Sequence, residues 1–203
     1  MLFGNCANII AQDGEALRRM KAAGFDFVEA NLTAIAQAPD AAFDEACALV
    51  RAVGLSVPVC NCMFPSDVRI AGGDQNPEIV TAYLGGAFAR AKRLGVQKVV
   101  LGSDKSRNLP AGYPEERGYA DLIDIVRRCV VPACERHGIT ALIEPLRRPC
   151  NLINTLQEGM RVVRAADSPF VRLIADSIHV MTSGEDMDDL PELTVPIDEV
   201  RLQ

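Results

Sequence analysis

Tryptophan is absent from this chain, and aromatic residues make up 5% of its 203 positions. The core must therefore be aliphatic, since aliphatic residues are the ones most often fully buried. Histidine occurs only at positions 137 and 179, which excludes a site built on several imidazole ligands. No run of 18 apolar residues occurs, and a membrane-spanning helix needs about that many. No basic residue precedes the first apolar stretch in MLFGNCANII. The start therefore does not read as a secretory signal, and a cytoplasmic location is expected. An excess of positive charge is also missing: Lys and Arg number 21 against 27 Asp and Glu, a net charge of −6. A phosphate backbone calls for a basic face, so neither nucleic acid nor a membrane is the expected partner.

No GxGxxG follows the first expected strand, and no P-loop occurs. Both absences argue against the nucleotide-binding α/β folds. No CxxC pair occurs among the seven cysteines. An odd count in such a chain argues against a disulfide framework. Cys60-Asn61-Cys62 leaves two readings open. A strand would point both thiols to one side as a metal chelate, and a buried strand accounts for them equally well as small hydrophobes.

What is present is ordinary for a globular domain: 49% hydrophobic and 24% charged residues. A chain of this length buries roughly 70% of its unfolded surface and reads by default as one domain over residues 1–203. Its strongest internal signal is a repeated junction: MKAAGFDF, RAVGLSV, KRLGVQKV and ERHGITA. Each puts a polar helical end before a glycine and an apolar strand after it, as left-handed helix caps do. The glycines are Gly24, Gly54, Gly95 and Gly138. Strands alternating with helices at this period predict βαβ units and a parallel sheet.

Strands are expected at Leu2–Asn5, Phe27–Asn31, Ser56–Cys60, Lys98–Leu101, Thr140–Glu144 and Val171–Ala175. Their nearly unbroken apolar runs read as strands buried on both faces. Helices are expected at Gly14–Ala23, Ala41–Val53, Pro77–Leu94, Pro114–His137, Leu156–Ala166 and Asp186–Leu193. Ile79, Leu84, Ala87, Ala91 and Leu94 form the expected buried stripe of the third helix. Pro132 should kink or divide the fourth. An open doubly wound sheet and a (β/α)8 barrel both fit this pattern.

Every expected strand runs into polar residues at its C-terminal end, where parallel α/β folds build their sites. These are Asn5 and Asn8, then Glu29 and Asn31, then Asn61 between its cysteines. After the fourth strand come Gly102, Ser103 and Asp104, then Arg107 and Asn108. Glu144, Arg147, Arg148 and Asn151 follow the fifth, and Asp176 and His179 the sixth. Glu144 and Asp176 each end an apolar strand, where a carboxylate must be paired, solvated or bound to a cation. With His179 they form a donor set suited to Mn²⁺, Mg²⁺ or Zn²⁺. Glu29 reads as a substrate contact or as support for the site. Arg107, Arg147 and Arg148 read either as cations for a phosphate or carboxylate or as solvated loop charges. His137 lies at a helix end, where a cation meets the dipole favourably, and receives no catalytic role.

The segments ITALIEPLRRPCNLINT and VRLIADSIHV resemble the sugar phosphate isomerase/epimerase family of xylose isomerase-like TIM barrels, which includes the ketose 3-epimerases. FDFVEANLTAI and LGVQKVVLGSDKSRNLPAGY are similar in style to its second and fourth strand regions. The resemblance implies a (β/α)8 barrel, of which about six βα units fall in this chain, and one divalent metal, often Mn²⁺. It implies Glu144 and Asp176 as metal ligands, Glu144 also as an acid/base carboxylate, and His179 as a contact to substrate oxygen. Arg147, Glu29, Asn31 and Arg107 are expected as further substrate contacts. The implied reaction moves a proton beside the carbonyl of a sugar or polyol ketone through an enediolate. The family's ligand His and final Glu would follow strands seven and eight and have no counterpart here. RRPCN stands where epimerases carry a further substrate-binding Glu.

Two other functions compete. One is a non-catalytic barrel protein. The other is a metal-dependent endonuclease-like hydrolase, which would need more histidines and a basic face. Six strands would leave strands one and six with open edges, so a homo-oligomer is expected. Alternatively, 181–203 folds back with Leu190, Leu193, Val195 and Ile197 as a plug.

Overall fold

The computed structural model describes residues 2–185 and, by backbone alone, 197–201. Seven strands form one all-parallel sheet in chain order. They are β1 (Gly4–Ala7), β2 (Phe27–Asn31), β3 (Ser56–Asn61), β4 (Lys98–Leu101), β5 (Thr140–Ile143), β6 (Val171–Asp176) and β7 (Ile197–Arg201). A doubly wound sheet reverses its strand order part-way. Here the order never reverses, so the chain is α/β of the TIM-barrel type, a partial barrel.

Helices connect the strands. They are α1 (Gly14–Ala22), α2 (Leu32–Gln37), α3 (Asp40–Val53), α4 (Pro77–Arg93), α5 (Asp104–Arg107), α6 (Glu115–Ile125), α7 (Val131–His137), α8 (Leu156–Ala166) and α9 (Ser177–Ser183). The four junction glycines all adopt the left-handed conformation, with φ between 62° and 89°. The long helix before β5 is divided, as expected. A π-helical turn at Val126–Val130 joins α6 to α7, with Pro132 in the first turn of α7. Proline has no N–H for the carbonyl four residues back, so the ladder shifts there. The α4 stripe is Val80, Leu84, Ala87, Phe88 and Ala91. Ile79 lies off it, 55% exposed.

Three differences from the sequence reading have physical causes. First, β1 starts two residues later than expected, because Gly4 lies opposite Phe27. A side chain at Gly4 would overlap the Phe27 ring, so the glycine seats that ring. Second, α2, α5 and α9 are single or double turns, too short to carry a periodic pattern. The expected helix at 186–193 lies outside the described residues. Third, β6 is not an edge, because β7 pairs with it from Leu173 to Asp176. The expected open edge at strand six is thus overturned. Of the expected plug residues, Ile197 belongs to β7, and Leu190, Leu193 and Val195 lie outside the described residues.

The sheet has two apolar faces. Facing the helices is the large core, which includes Val99, Leu101, Ala141, Ile143, Leu173 and Ala175. The other face carries a smaller cluster: Val59, Val100, Leu142 and Ile174, with Phe27 against them. Side chains two apart on a strand share a face. Glu29, Asn61, Glu144 and Asp176 therefore lie on the inner face, one step nearer the C-terminal end than that layer. No described helix is long and apolar enough to cross a membrane.

Candidate metal centre at the C-terminal mouth

The buried polar or charged residues among those described are Glu29, Ser106, Arg107, Glu144 and Asp176. Four of them sit at or beyond C-terminal strand ends, and Glu29 lies two residues before the end of β2. Burial of so many polar groups at one end is costly unless they are partnered, so their grouping marks a site rather than packing.

Asp176 ends β6 and starts α9. Its Oδ1 accepts from the backbone N–H groups of Ile178 and His179, at 3.0 and 3.3 Å. This cap turns the chain sharply enough to bring His179 back beside the strand end. The His179 ring is tied to the segment after β5, its Nδ1 accepting from the Arg147 N–H at 3.4 Å. Glu144 follows β5, and its N–H donates to the Leu101 carbonyl at 3.2 Å. One ligand atom from each of Glu144, Asp176 and His179 lies within 4.8 Å of the other two. A single cation can reach across that spacing.

The walls of the mouth are cross-braced. Asn151 N–H donates to Asn108 Oδ1, and Leu109 N–H donates to Asn151 Oδ1. Phe64 N–H donates to Ser103 Oγ, and Ser106 Oγ–H to the Pro65 carbonyl. Arg69 donates to the carbonyls of Lys105, Ala71 and Asn108. Three non-glycine residues here are left-handed: Cys62 (φ 53°), Ser103 (φ 33°) and Ile153 (φ 63°). Each costs about 1–3 kcal/mol and persists where the surroundings over-determine it, a pattern of functional sites.

The remaining sequence assignments separate here. Glu29 is buried on the inner face of β2. Asn31 caps α2, accepting from Ala34 N–H at 2.8 Å. Arg147 and Arg148 are exposed beside the site. Arg107, expected to touch substrate, is fully buried. Its guanidinium donates to the backbone carbonyls of Leu101, Glu144 and Ile153, at 3.1, 2.8 and 3.3 Å, so it is a brace and not a substrate contact. Cys60 faces the helix-side core, where burial, then the nearby Glu29 charge, push its thiol up to about 12. Cys62 is exposed. Cys62 itself lies just past the end of β3 in a left-handed conformation. His137 is held below its ordinary pKa by burial and by the Arg136 and Lys92 charges. The sequence reading gave no role to Arg69 or to Gly102, whose missing side chain leaves room for the Glu144 carboxylate.

A family model, xylose isomerase-like TIM barrel, matches residues 17–202. The chain belongs to the xylose isomerase-like TIM barrel family. Solved structures across this family superpose on all or nearly all of the chain. D-psicose 3-epimerase from Clostridium cellulolyticum H10, solved with D-tagatose, is 17% identical. Its TM-score is 0.85, covering 100% of this chain and 73% of that one. The 3-keto-D-glucoside 4-epimerase from E. coli is 19% identical, with a TM-score of 0.76 over 100% of this chain and 78% of that one. The family 2 AP endonuclease from Brucella melitensis is also 19% identical, with a TM-score of 0.77 over 99% of this chain and 78% of that one. At these identities the likeness shows the fold. No curated protein sequence matches the chain.

Proposed function

We propose that this protein is a metal-dependent isomerase or epimerase acting on a ketose or related polyol ketone. The observation that carries this reading is the meeting of Glu144, Asp176 and His179 at one barrel mouth. The epimerase neighbours, solved with D-fructose or D-tagatose, support the substrate class. Two carboxylates and an imidazole suit Mn²⁺ first, and also Mg²⁺ or Zn²⁺. Glu144 and Asp176 are the residues that would hold the ion. Such an ion, when bound, draws electron density from a carbonyl oxygen and stabilises negative charge there.

Glu144 is the proton-transfer carboxylate. It removes a proton from the carbon beside the substrate carbonyl. The C–H electron pair becomes the C=C bond of an enediolate, and the carbonyl π pair moves onto oxygen. Return of a proton to the opposite face of the same carbon gives the epimer and requires an acid on that face other than Glu144. Return to the neighbouring carbon, with a proton passing between the oxygens, gives the isomer. His179 accepts at Nδ1 from Arg147 N–H, so Nε2 is the ring nitrogen left to meet a substrate oxygen. Arg147 and Glu29 are further substrate contacts.

The test follows ketose C–H exchange in D₂O by NMR, with and without Mn²⁺. Metal-dependent exchange at the carbon beside the carbonyl, lost in Glu144→Gln, is expected. A protein that binds no divalent ion and exchanges no ketose proton would overturn this reading in favour of a non-catalytic barrel.

A further inference from the structure

Glu144 is held from two sides by residues that follow β4. Gly102 lies on the inner face, two residues beyond Val100. A Cβ built there would lie 2.2 Å from Glu144 Oε2, far inside van der Waals contact. The φ of Gly102 is not left-handed, so the backbone does not require glycine at this position. The space taken by the carboxylate does. On the other side, Arg107 donates from Nη2 to the Glu144 carbonyl at 2.8 Å and to that of Ile153 at 3.3 Å. Its Nη1 reaches the Leu101 carbonyl at 3.1 Å, the same carbonyl that accepts from Glu144 N–H. Arg107 is fully buried, and no described carboxylate pairs with it. Burying a cation on carbonyls alone is expensive. A neutral side chain would pack this site with less desolvation. What the guanidinium adds is a rigid fork that ties the ends of β4 and β5 to Ile153, itself in a left-handed conformation.

We propose that Gly102 and Arg107 are positioning residues for Glu144. Gly102 sets where the carboxylate lies, and Arg107 sets the main chain that carries it. The role in metal binding rests on the function proposed above; the placement of Glu144 does not. Alanine at 102 forces the carboxylate out of its present position relative to Asp176 and His179. The fold survives, because the overlapping atom is the tip of a flexible side chain. Arg107→Met removes a donor from three backbone carbonyls, Glu144's own among them, and moves the main chain at 144.

Crystal structures of the metal-free wild type, Gly102→Ala, Arg107→Lys and Arg107→Met decide the placement directly. The expected result is a displaced Glu144 carboxylate in Gly102→Ala, with Asp176 and His179 unmoved. Arg107→Lys keeps the charge but loses the fork, and should shift the Glu144 main chain less than Met does. If Arg107→Met does not fold, the Lys variant carries that arm. A Glu144 carboxylate left in place in Gly102→Ala would overturn the proposal. Mn²⁺ titration forms the second arm. Gly102→Ala should weaken Mn²⁺ by about tenfold or more at an unchanged melting temperature. In a Glu144→Asp background, whose side chain is one methylene shorter, the same substitution should cost about twofold or less. Equal losses in both backgrounds would overturn a direct steric link. A wild type that binds no Mn²⁺ overturns the metal reading, while the crystal structures still decide the placement.

Discussion

Two layers of side chains on the same strands, two residues apart, differ in almost every property. Val59, Val100, Leu142 and Ile174 fill the inner face with aliphatic packing. One step along, the same strands present Asn61, Gly102, Glu144 and Asp176. Leu142 and Glu144 share a strand direction and a face, as do Ile174 and Asp176. Both layers are buried at β5 and β6. The inner layer stabilises by removing apolar area from water, and its members need only fit. The mouth layer gains nothing from burial and is held by caps, braces and glycine clearance. The difference teaches that stability and chemistry here are separated by one pleat of the sheet, so substitutions in one layer should leave the other's property largely alone.

The largest effect expected is in the inner layer. Ile174→Ala should lower stability by about 2–5 kcal/mol, read as a reduced urea midpoint with little change in slope. A loss under about 1 kcal/mol would show that this face is not packed as a core. Next come the carboxylates. Glu144→Gln and Asp176→Asn should each weaken Mn²⁺ by more than about tenfold, with the urea midpoint unchanged or raised. Asparagine keeps an acceptor for the α9 cap, so the second variant isolates charge from capping. A lost fold with retained metal affinity would break the comparison.

The pH dependence comes from outside both layers. Burial pushes the thiols of Cys60 and Cys134 up to about 12. The folded state therefore holds protons that the unfolded chain releases from about pH 9 upward. Stability is fully present below pH 9 and falls as pH rises toward 12, by at most about 1.4 kcal/mol per unit and group. Urea curves at pH 8 to 11 should show that slope, flattened in Cys60→Ala/Cys134→Ala. The smallest effect is expected behind the sheet. Thr155 and Glu158 form a capping box at the start of α8. Thr155→Ala should cost about 1 kcal/mol in thermal unfolding and leave Mn²⁺ affinity unchanged.

Some of this was legible without the fold. β2, β4 and α8 lie at the residues expected, since apolar runs and glycine caps are local signals. Pro132 divided its helix because a missing N–H acts within one turn. Glu144, Asp176 and His179 stood out because charges at the ends of apolar strands are anomalous in sequence alone. The short turns α2, α5 and α9 were missed, because four to seven residues carry no period. Strand β7 was missed because three of the five residues in its IDEVR run are charged and it lacks the apolar signature of its neighbours.

The roles of the arginines belong to the tertiary structure. By composition, Arg107 and Arg147 are both loop cations after a strand. One is fully buried on three carbonyls and the other exposed beside His179. The sequence by itself determined the alternation of strand and helix, the glycine stops and the polar strand ends. Each depends on contacts within a few residues. Strand order, the meeting of Glu144, Asp176 and His179 from two strand ends, and the clearance that Gly102 leaves for Glu144 were decided only in three dimensions. They depend on register between strands some forty residues apart in sequence, which no local pattern encodes.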